Sequence, residues 1–571
     1  MKNQKLTILI ATAFPTHGAG SGALVTTQAK SYVEDGHNVV IITGNNRTDF
    51  DKIEGVKYHI VPFTSEGESP EKIKGQVDFN YLMFTTHTES TANFWNVKLK
   101  ELEQYCKAFQ KALLEEIKKS KPDVIHAQHN WLLSSEATRM GIPVVTTIHG
   151  TDLMGYEKSK KYLEEVEKQI ADFRKNKIFL SLEQIFNNDS LNYKEITERT
   201  RGVVEGLKSQ EDKKNAKLAV ELLSDQRKYK FYINEAQNSA KNSCKIIVIS
   251  EAQKEKFIKL FPNEAEKVEL IENGYDPKTF YVDKDVDKDE VFAELQSNIT
   301  EDGKIPADFT DLILFVGKFA DFKGIDSLLT ANKLYDEELR KQGKNPLTII
   351  VGSGSLEEKL KKQAKELGLD NTHFVGRKGH DVIRKLQNLA TVSLIPSRNE
   401  PFGLVVIEGT ACGHPVIGSN SGGIPDIMNV YKKELPNEDI IKTPLGILIR
   451  PLPERPSIKD EEKEILDSKT PEYVVGDDET RHNITSYLSN ILPVSEKTLR
   501  RYLDEYTLST KALAGAVTGI CNKKLVFDNE KIATYTEEVY SQPRIREKLI
   551  GLFKNAIEIF RIENKDKTER N

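Results

Sequence analysis

At 571 residues, with 38% hydrophobic and 30% charged side chains, the chain is too long for one compact core and too apolar for disorder, so two large domains or more are expected. Its 82 basic and 87 acidic residues leave a formal charge of −5, which excludes the overall basic field that nucleic-acid binding favours. Four scattered cysteines, Cys106, Cys244, Cys412 and Cys521, offer neither a disulfide framework nor a zinc site and fit a reducing cytoplasm.

The first stretch, MKNQKLTILIATAFP, holds an apolar run too short to span a bilayer and meets Pro15 instead of a small-residue cleavage site. It reads as a buried strand. No other window reaches the length of a transmembrane helix, so any membrane contact is expected to be peripheral. Short apolar runs then alternate with amphipathic stretches: LTILIAT, NVVIIT, DVIHAQ, VVTTIHG and IIVIS, followed by LILFVG, LTIIVGSG, THFVG, VSLIPS and PVIGS. Near-continuous runs of this kind predict parallel strands covered on both faces, an α/β class.

The runs form two clusters, Leu6 to Ser250 and Leu312 to Leu448, and the acidic, strand-poor stretch from Phe280 to Asp308 is the expected connection. Domains of 1–295 and 309–530 follow, with ligand expected in a cleft outside the carboxyl ends of the strands. Between Tyr156 and Ala240 the chain is lysine- and glutamate-rich and helical in pattern, an inserted lobe whose mixed charge points to solvated helices or self-association. A second insertion is expected at about 450–522, opening with a proline- and charge-rich mobile excursion before helices that start near Arg481. Residues 531–571 carry helical spacing and end in a charged tail, and are expected to cross back to the first domain.

The segment RNEPFGLVVIEGTACGHPVIGSNSGG, residues 398–423, follows a strand and enters a helix, placing Glu400 at a loop tip and Glu408 about one turn inside the helix. Carboxylates accept hydrogen bonds from two neighbouring hydroxyls, as polyol recognition requires, and the amides of Phe402, Gly403 and Leu404 are first-turn donors suited to an oxygen ligand. The string resembles the E-x7-E signature of retaining glycosyltransferases of the GT-B fold, family 4. That resemblance implies two Rossmann-like domains facing each other across a cleft, Glu400 on the transferred sugar, Glu408 on the nucleotide ribose, and the Phe402–Leu404 amides on sugar and phosphate.

LFVGKFADFKGID resembles the strand-end motif whose two cations, five positions apart, neutralise the donor's diphosphate; Lys318 and Lys323 have that spacing. The family usually has arginine first, and lysine keeps the charge while losing the bidentate fork. FPTHGAGSGAL resembles the first loop and helix, with Ser21 and Gly22 at the positions of a glycine pair that approaches phosphate. VVTTIHGTDLMGY supplies His149, which the resemblance places over the donor sugar. FVGRKGHDVIRKL resembles the segment whose backbone receives the base, around Gly376 and Arg377. His126 and His129, in HAQHNW, show no third ligand, and no metal site is predicted.

The implied reaction moves a hexose or N-acetylhexosamine from a nucleotide-diphosphate sugar, UDP favoured, to an acceptor hydroxyl with retention, forming an alpha-glycosidic bond, with no metal and no further cofactor. The alternative is a sugar-nucleotide-binding or assembly protein without transferase activity. An epimerase or phosphorylase of the same fold lacks supporting segments, and the G-x-G-x-x-G constellation of a dinucleotide oxidoreductase is absent. Expected partners are the donor and an acceptor of open type, with self-association through the helical lobe left open.

Overall fold

A computed structural model of the chain describes residues 5–16, 21–47, 50, 52–65, 75–84, 90–297, 305–428 and 438–570. Two compact units emerge, one running to Ile271 and resuming at Arg546, the other Glu272–Ile545. Each is a doubly wound, Rossmann-like α/β unit.

The first unit is built on β1 (Thr7–Thr12), β2 (Asn38–Asn45), β3 (Val56–Pro62), β4 (Val124–Gln128), β5 (Val144–Thr147), β6 (Lys245–Val248) and β7 (Val268–Leu270). Their order is β3-β2-β1-β4-β5-β6-β7, all parallel, so the strand order reverses direction between β1 and β4. β4 and β5 are buried throughout, as strands covered on both faces must be.

The segment read as an inserted lobe forms four helices, Thr151–Phe173, Lys177–Phe186, Tyr193–Glu205 and Gln210–Asn242. The last begins where the Ser209 side chain accepts from the Asp212 amide, with Glu211 and Asp212 in its first turn. Its buried Ala216, Ala219, Leu222, Leu223, Tyr232, Ala236 and Ala240 recur at helical spacing and join the same hydrophobic core as Leu9, Ile125 and Phe109. The lobe is therefore part of the unit's core. From the end of the chain, Phe553 packs on Tyr32 and His126, with ring centroids 5.9 and 5.1 Å apart.

The second unit is built on β8 (Asp311–Val316), β9 (Pro346–Val351), β10 (Thr372–Phe374), β11 (Val392–Ile395), β12 (Val416–Ser419), β13 (Ile440–Thr443) and β14 (Gly446–Ile449). The order is β10-β9-β8-β11-β12-β14-β13, parallel except for the β13–β14 hairpin, and it reverses between β8 and β11.

Two expectations need correction. The acidic stretch assigned to the first unit up to residue 295 packs on the second: Asn388 accepts from the Asp283 amide at 2.7 Å and donates to the Tyr281 carbonyl at 3.0 Å, and Arg384 pairs with Asp283. Asp283 and Glu290 pair with Arg384 and Lys385 on the helix His380–Leu389, although residues 298–304 of the expected connection lie outside the described residues. The expected mobile excursion is also folded. It contains the helix Asp460–Val475, despite Pro471, followed by Asp478–Ile491 and Glu496–Cys521. Leu452, Leu466, Tyr473, Ile484, Leu488, Leu503 and Tyr506 give this segment a core of its own, which its charge-rich surface positions concealed.

Candidate active site

In the second unit the predicted residues gather at the carboxyl ends of β8 and β11, where the strand order reverses and open α/β sheets bind ligands. After β8 the chain makes a single tight turn, Asp321–Lys323, and then Gly324 takes a left-handed conformation at φ 67°. A Cβ there would stand 2.1 Å from the Pro396 carbonyl oxygen, so only glycine lets the Lys323 turn press against the loop after β11. That loop is held from the other side. Gly422, at φ 59°, would place a Cβ 1.9 Å from the Glu400 carbonyl oxygen, which also accepts from the Gly423 amide at 2.8 Å.

Backbone grips at both ends bring two predicted side chains together: Lys323 Nζ lies 2.5 Å from Glu400 Oε2, and Ser397 Oγ donates to the same oxygen at 3.1 Å. Glu400 is buried to 8% exposure, so its charge rests on these partners. Glu408 follows in the helix Leu404–Ala411. Burial pushes its carboxyl up to about 7, against the opposing pull of the Lys323 ammonium. Phe402 is buried, and Gly403, at φ 111°, leads into the first turn at Leu404. Lys318 is exposed beyond the end of β8, and its ammonium is lowered by partial burial and by the Arg377 charge. Arg377 follows Gly376, is exposed, and donates through Nε to Ser353 Oγ at 2.7 Å. The two lysines thus divide, Lys323 with the carboxylates and Lys318 with Arg377.

Sequence reasoning missed the ion pairs behind this loop. Arg398, two residues before Glu400, makes a two-pronged pair with Asp326, Nη1 to Oδ1 at 2.9 Å and Nη2 to Oδ2 at 2.6 Å, and donates to the Asp321 carbonyl at 2.7 Å. Burial would raise the Asp326 carboxyl, but Arg398, Arg455 and the Tyr506 hydroxyl outweigh it and hold the carboxyl far below the usual range. Nothing in the spacing of Arg398 reveals a partner 72 positions away.

In the first unit, Ser21 opens the helix Ser21–Glu34, and Gly22 sits so close to Pro15 that a Cβ would lie 2.5 Å from its carbonyl oxygen. The preceding residues 17–20 of the expected loop lie outside the described residues. His149, just past β5, is 2.7 Å through Nε2 from Gln128 Oε1, and Gln128 Nε2 is 3.2 Å from His126 Nε2. His126 Nε2 also meets Thr147 Oγ1 at 2.8 Å. His129 Nε2 lies 3.2 Å from Ser21 Oγ, its ring 4.4 Å from that of His149. Burial depresses all three imidazoles to about 3, with neighbouring histidines adding to the effect at His126 and His149, so all are neutral at pH 7.

The Asp152 carboxylate ties this end together, accepting from the amides of Asn130 at 2.8 Å, Leu153 at 3.1 Å and His149 at 3.3 Å. His129 holds φ 70°, a conformation that costs a non-glycine residue on the order of 1 kcal/mol and persists only where surroundings enforce it. Its carbonyl is fixed by Ser134 Oγ at 2.7 Å. No role for Gln128, His129 or Asp152 is legible in the sequence, because a hydrogen-bond chain across two strands is invisible in spacing. Among the described residues, no group of three or more histidine, cysteine or acidic side chains is placed to hold a metal ion, and no helix is long and apolar enough to cross a membrane.

Two family models match the chain, Glycosyltransferase Family 4 over residues 18–182 and Glycosyl transferases group 1 over residues 300–437. An uncharacterized glycosyltransferase of Methanocaldococcus jannaschii is 32% identical over 192 residues, 33% of this chain and 46% of that protein. A D-rhamnosyltransferase of Pseudomonas aeruginosa is 36% identical over 120 residues, 21% of this chain and 29% of that protein. The chain thus spans less than half the length of these curated relatives. Among solved structures, sucrose-phosphate synthase from Thermosynechococcus elongatus aligns with a TM-score of 0.47 at 17% identity, over 97% of this chain and 100% of that one.

Proposed function

We propose that the protein transfers a sugar from a nucleotide-diphosphate sugar, a uridine nucleotide favoured, to an acceptor hydroxyl, with retention of configuration, an alpha linkage and no metal. One observation carries the reading: Lys323, Glu400 and Glu408 converge at the strand-order reversal of the second unit, inside the segment matched by the group 1 model.

The chemistry then follows from these groups. Lys323 meets the diphosphate as a compact charge, exchanging its Glu400 partner for phosphate oxygens, while Glu400 accepts from neighbouring sugar hydroxyls. Glu408, held near neutrality of charge by burial, faces the ribose hydroxyls either as acceptor or, protonated, as donor. Lys318 and Arg377 add positive charge beside them. In the first unit, His149 and the helix start at Ser21–Gly22 carry the roles implied by the resemblance, a neutral hydrogen-bond partner for a sugar hydroxyl and an amide seat for an anion. As the acceptor oxygen bonds to the anomeric carbon, the bond to the diphosphate oxygen breaks. That departing oxygen takes the acceptor's proton, leaving a glycoside and a nucleoside diphosphate. The protein's contribution is charge stabilisation and orientation.

A thermal-shift screen of nucleotide sugars, followed by donor-turnover assays with candidate acceptors, tests the reading. Lys323→Ala is expected to lower turnover roughly 100-fold or more. Near-normal turnover would remove Lys323 from the mechanism, and binding without turnover of any donor would favour the binding-protein alternative.

A further inference from the structure

The segment after β14 reaches the back of the Lys323–Glu400 pair by two independent routes. By charge, Arg455 Nη2 lies 2.9 Å from Asp467 Oδ1 and 3.4 Å from Asp326 Oδ2, and Nη1 pairs with Asp321. Asp321 opens the turn that ends in Lys323, and Asp326 receives the fork of Arg398, whose own amide donates to the Phe322 carbonyl at 2.7 Å. By packing, Leu452 stands against Gly324, where a Cβ would come within 2.9 Å of its Cδ1. Tyr506, on the helix Glu496–Cys521, donates to Asp326 Oδ2 at 3.1 Å, and Lys359 secures Asp467 at 2.8 Å.

We infer that the folded insertion, through Arg455 on Asp321 and Asp326, positions Lys323 and Glu400 for the donor, so that Arg455 is a positioning residue of the site. The residues 452–521 that supply this brace lie outside the segment matched by the group 1 model. The geometry explains the arrangement: one guanidinium cross-links the Lys323 turn to Asp467 on the insertion, and the shared Asp326 carries the constraint to Arg398 and hence to the loop bearing Glu400. Removing the guanidinium leaves Asp321 and Asp467 without it and loosens the turn, which is then held to the Glu400 loop by the Arg398 contacts to the Asp321 and Phe322 carbonyls without the brace from the insertion. A shift of about 1 Å at such a site is enough to cost a hundredfold in rate.

This inference rests on the transferase reading for its consequences in turnover, but the placement of Lys323 can be followed without any substrate. The rate of reductive methylation of the Lys323 amine, read by peptide mass spectrometry against exposed Lys194 as internal reference, reports its pairing with Glu400. In Arg455→Met, Lys323 should label about fivefold faster relative to Lys194, and turnover should fall roughly ten- to a hundredfold. Arg455→Lys, which keeps one charge without the fork, should fall between Arg455→Met and wild type in both readouts. On a Lys323→Ala background, Arg455→Met should add little further loss of turnover, since both act through the same group.

Asp321→Asn removes only the partly exposed arm of the brace and should shift labelling in the same direction; it decides the matter if Arg455→Met fails to fold. Unchanged Lys323 labelling in a folded variant would overturn the positioning role, as would fully additive losses in the double variant. A wild-type protein that turns over no nucleotide sugar would sink the transferase reading, and the labelling result would still stand or fall by itself.

Discussion

Glu400 and Glu408 are eight positions apart and meet opposite surroundings. Glu400 is partnered by Lys323 and Ser397, whereas Glu408, within the helix Leu404–Ala411, has its carboxyl raised to about 7 by loss of solvent against the pull of Lys323. Between pH 4.5 and 7 the folded chain therefore binds a proton at Glu408 that the unfolded chain releases. Stability from this group is full below about pH 4.5 and is lost as pH rises through 7. Glu408→Gln should raise the unfolding free energy at pH 8 relative to wild type by on the order of 2 kcal/mol, with the difference vanishing near pH 4.5. Urea titrations at the two pH values measure it; a pH-independent difference would contradict the buried-carboxylate account. The glycines at 324 and 422 act at the same scale by removing Cβ atoms that would separate the Lys323 and Glu400 loops.

At the scale of elements, visibility in the sequence tracked burial. β4, β8 and β11 are covered on both faces and stand out as apolar runs, whereas β3, VKYHIVP, is mostly half-buried at the sheet edge and β7 is three residues long. The helices 151–242 were legible as helices but not as core, because their charged outer faces dominate composition. Leu182, on Lys177–Phe186, is fully buried in the cluster that includes the sheet residues Leu9 and Ile125. Leu182→Ala should cost the first unit about 2–5 kcal/mol in urea unfolding. A loss below 0.5 kcal/mol, about the level of a surface substitution, would mean that the lobe is an appendage.

At the scale of the molecule, Lys323, Glu400 and Glu408 stand out as candidates because each lies within a motif, and folding brings Lys323 to Glu400 across 77 positions. The histidine chain as a whole and the Arg455 brace carry no such motif and depend wholly on partners that folding brings near. The first unit also differs from the second in its response to acid. His126, fully buried with its imidazole depressed to about 3, refuses a proton that the unfolded chain takes below pH 6.5, so its contribution is complete above 6.5 and declines as pH falls toward 3. By pH 5 the loss is about 2 kcal/mol for this residue alone. Both tryptophans, Trp95 and Trp131, belong to the first unit, so indole fluorescence reports on it selectively. The fluorescence midpoint in urea should drop between pH 7 and pH 5, and more steeply than in His126→Gln; coincident pH profiles would reject the assignment.

The first unit is discontinuous: its sheet is complete by Leu270, yet Arg546, which pairs with Asp35, and Phe553, which covers Tyr32 and His126, come from some 275 residues later. The continuous unit, Glu272–Ile545, emerges from the ribosome in full before residues 546–570, the greater part of the helix Gln542–Arg570, do. Synthesis thus inverts the order of completion, and a nascent chain halted at residue 545 would hold a finished second half beside a first half still missing its final wall.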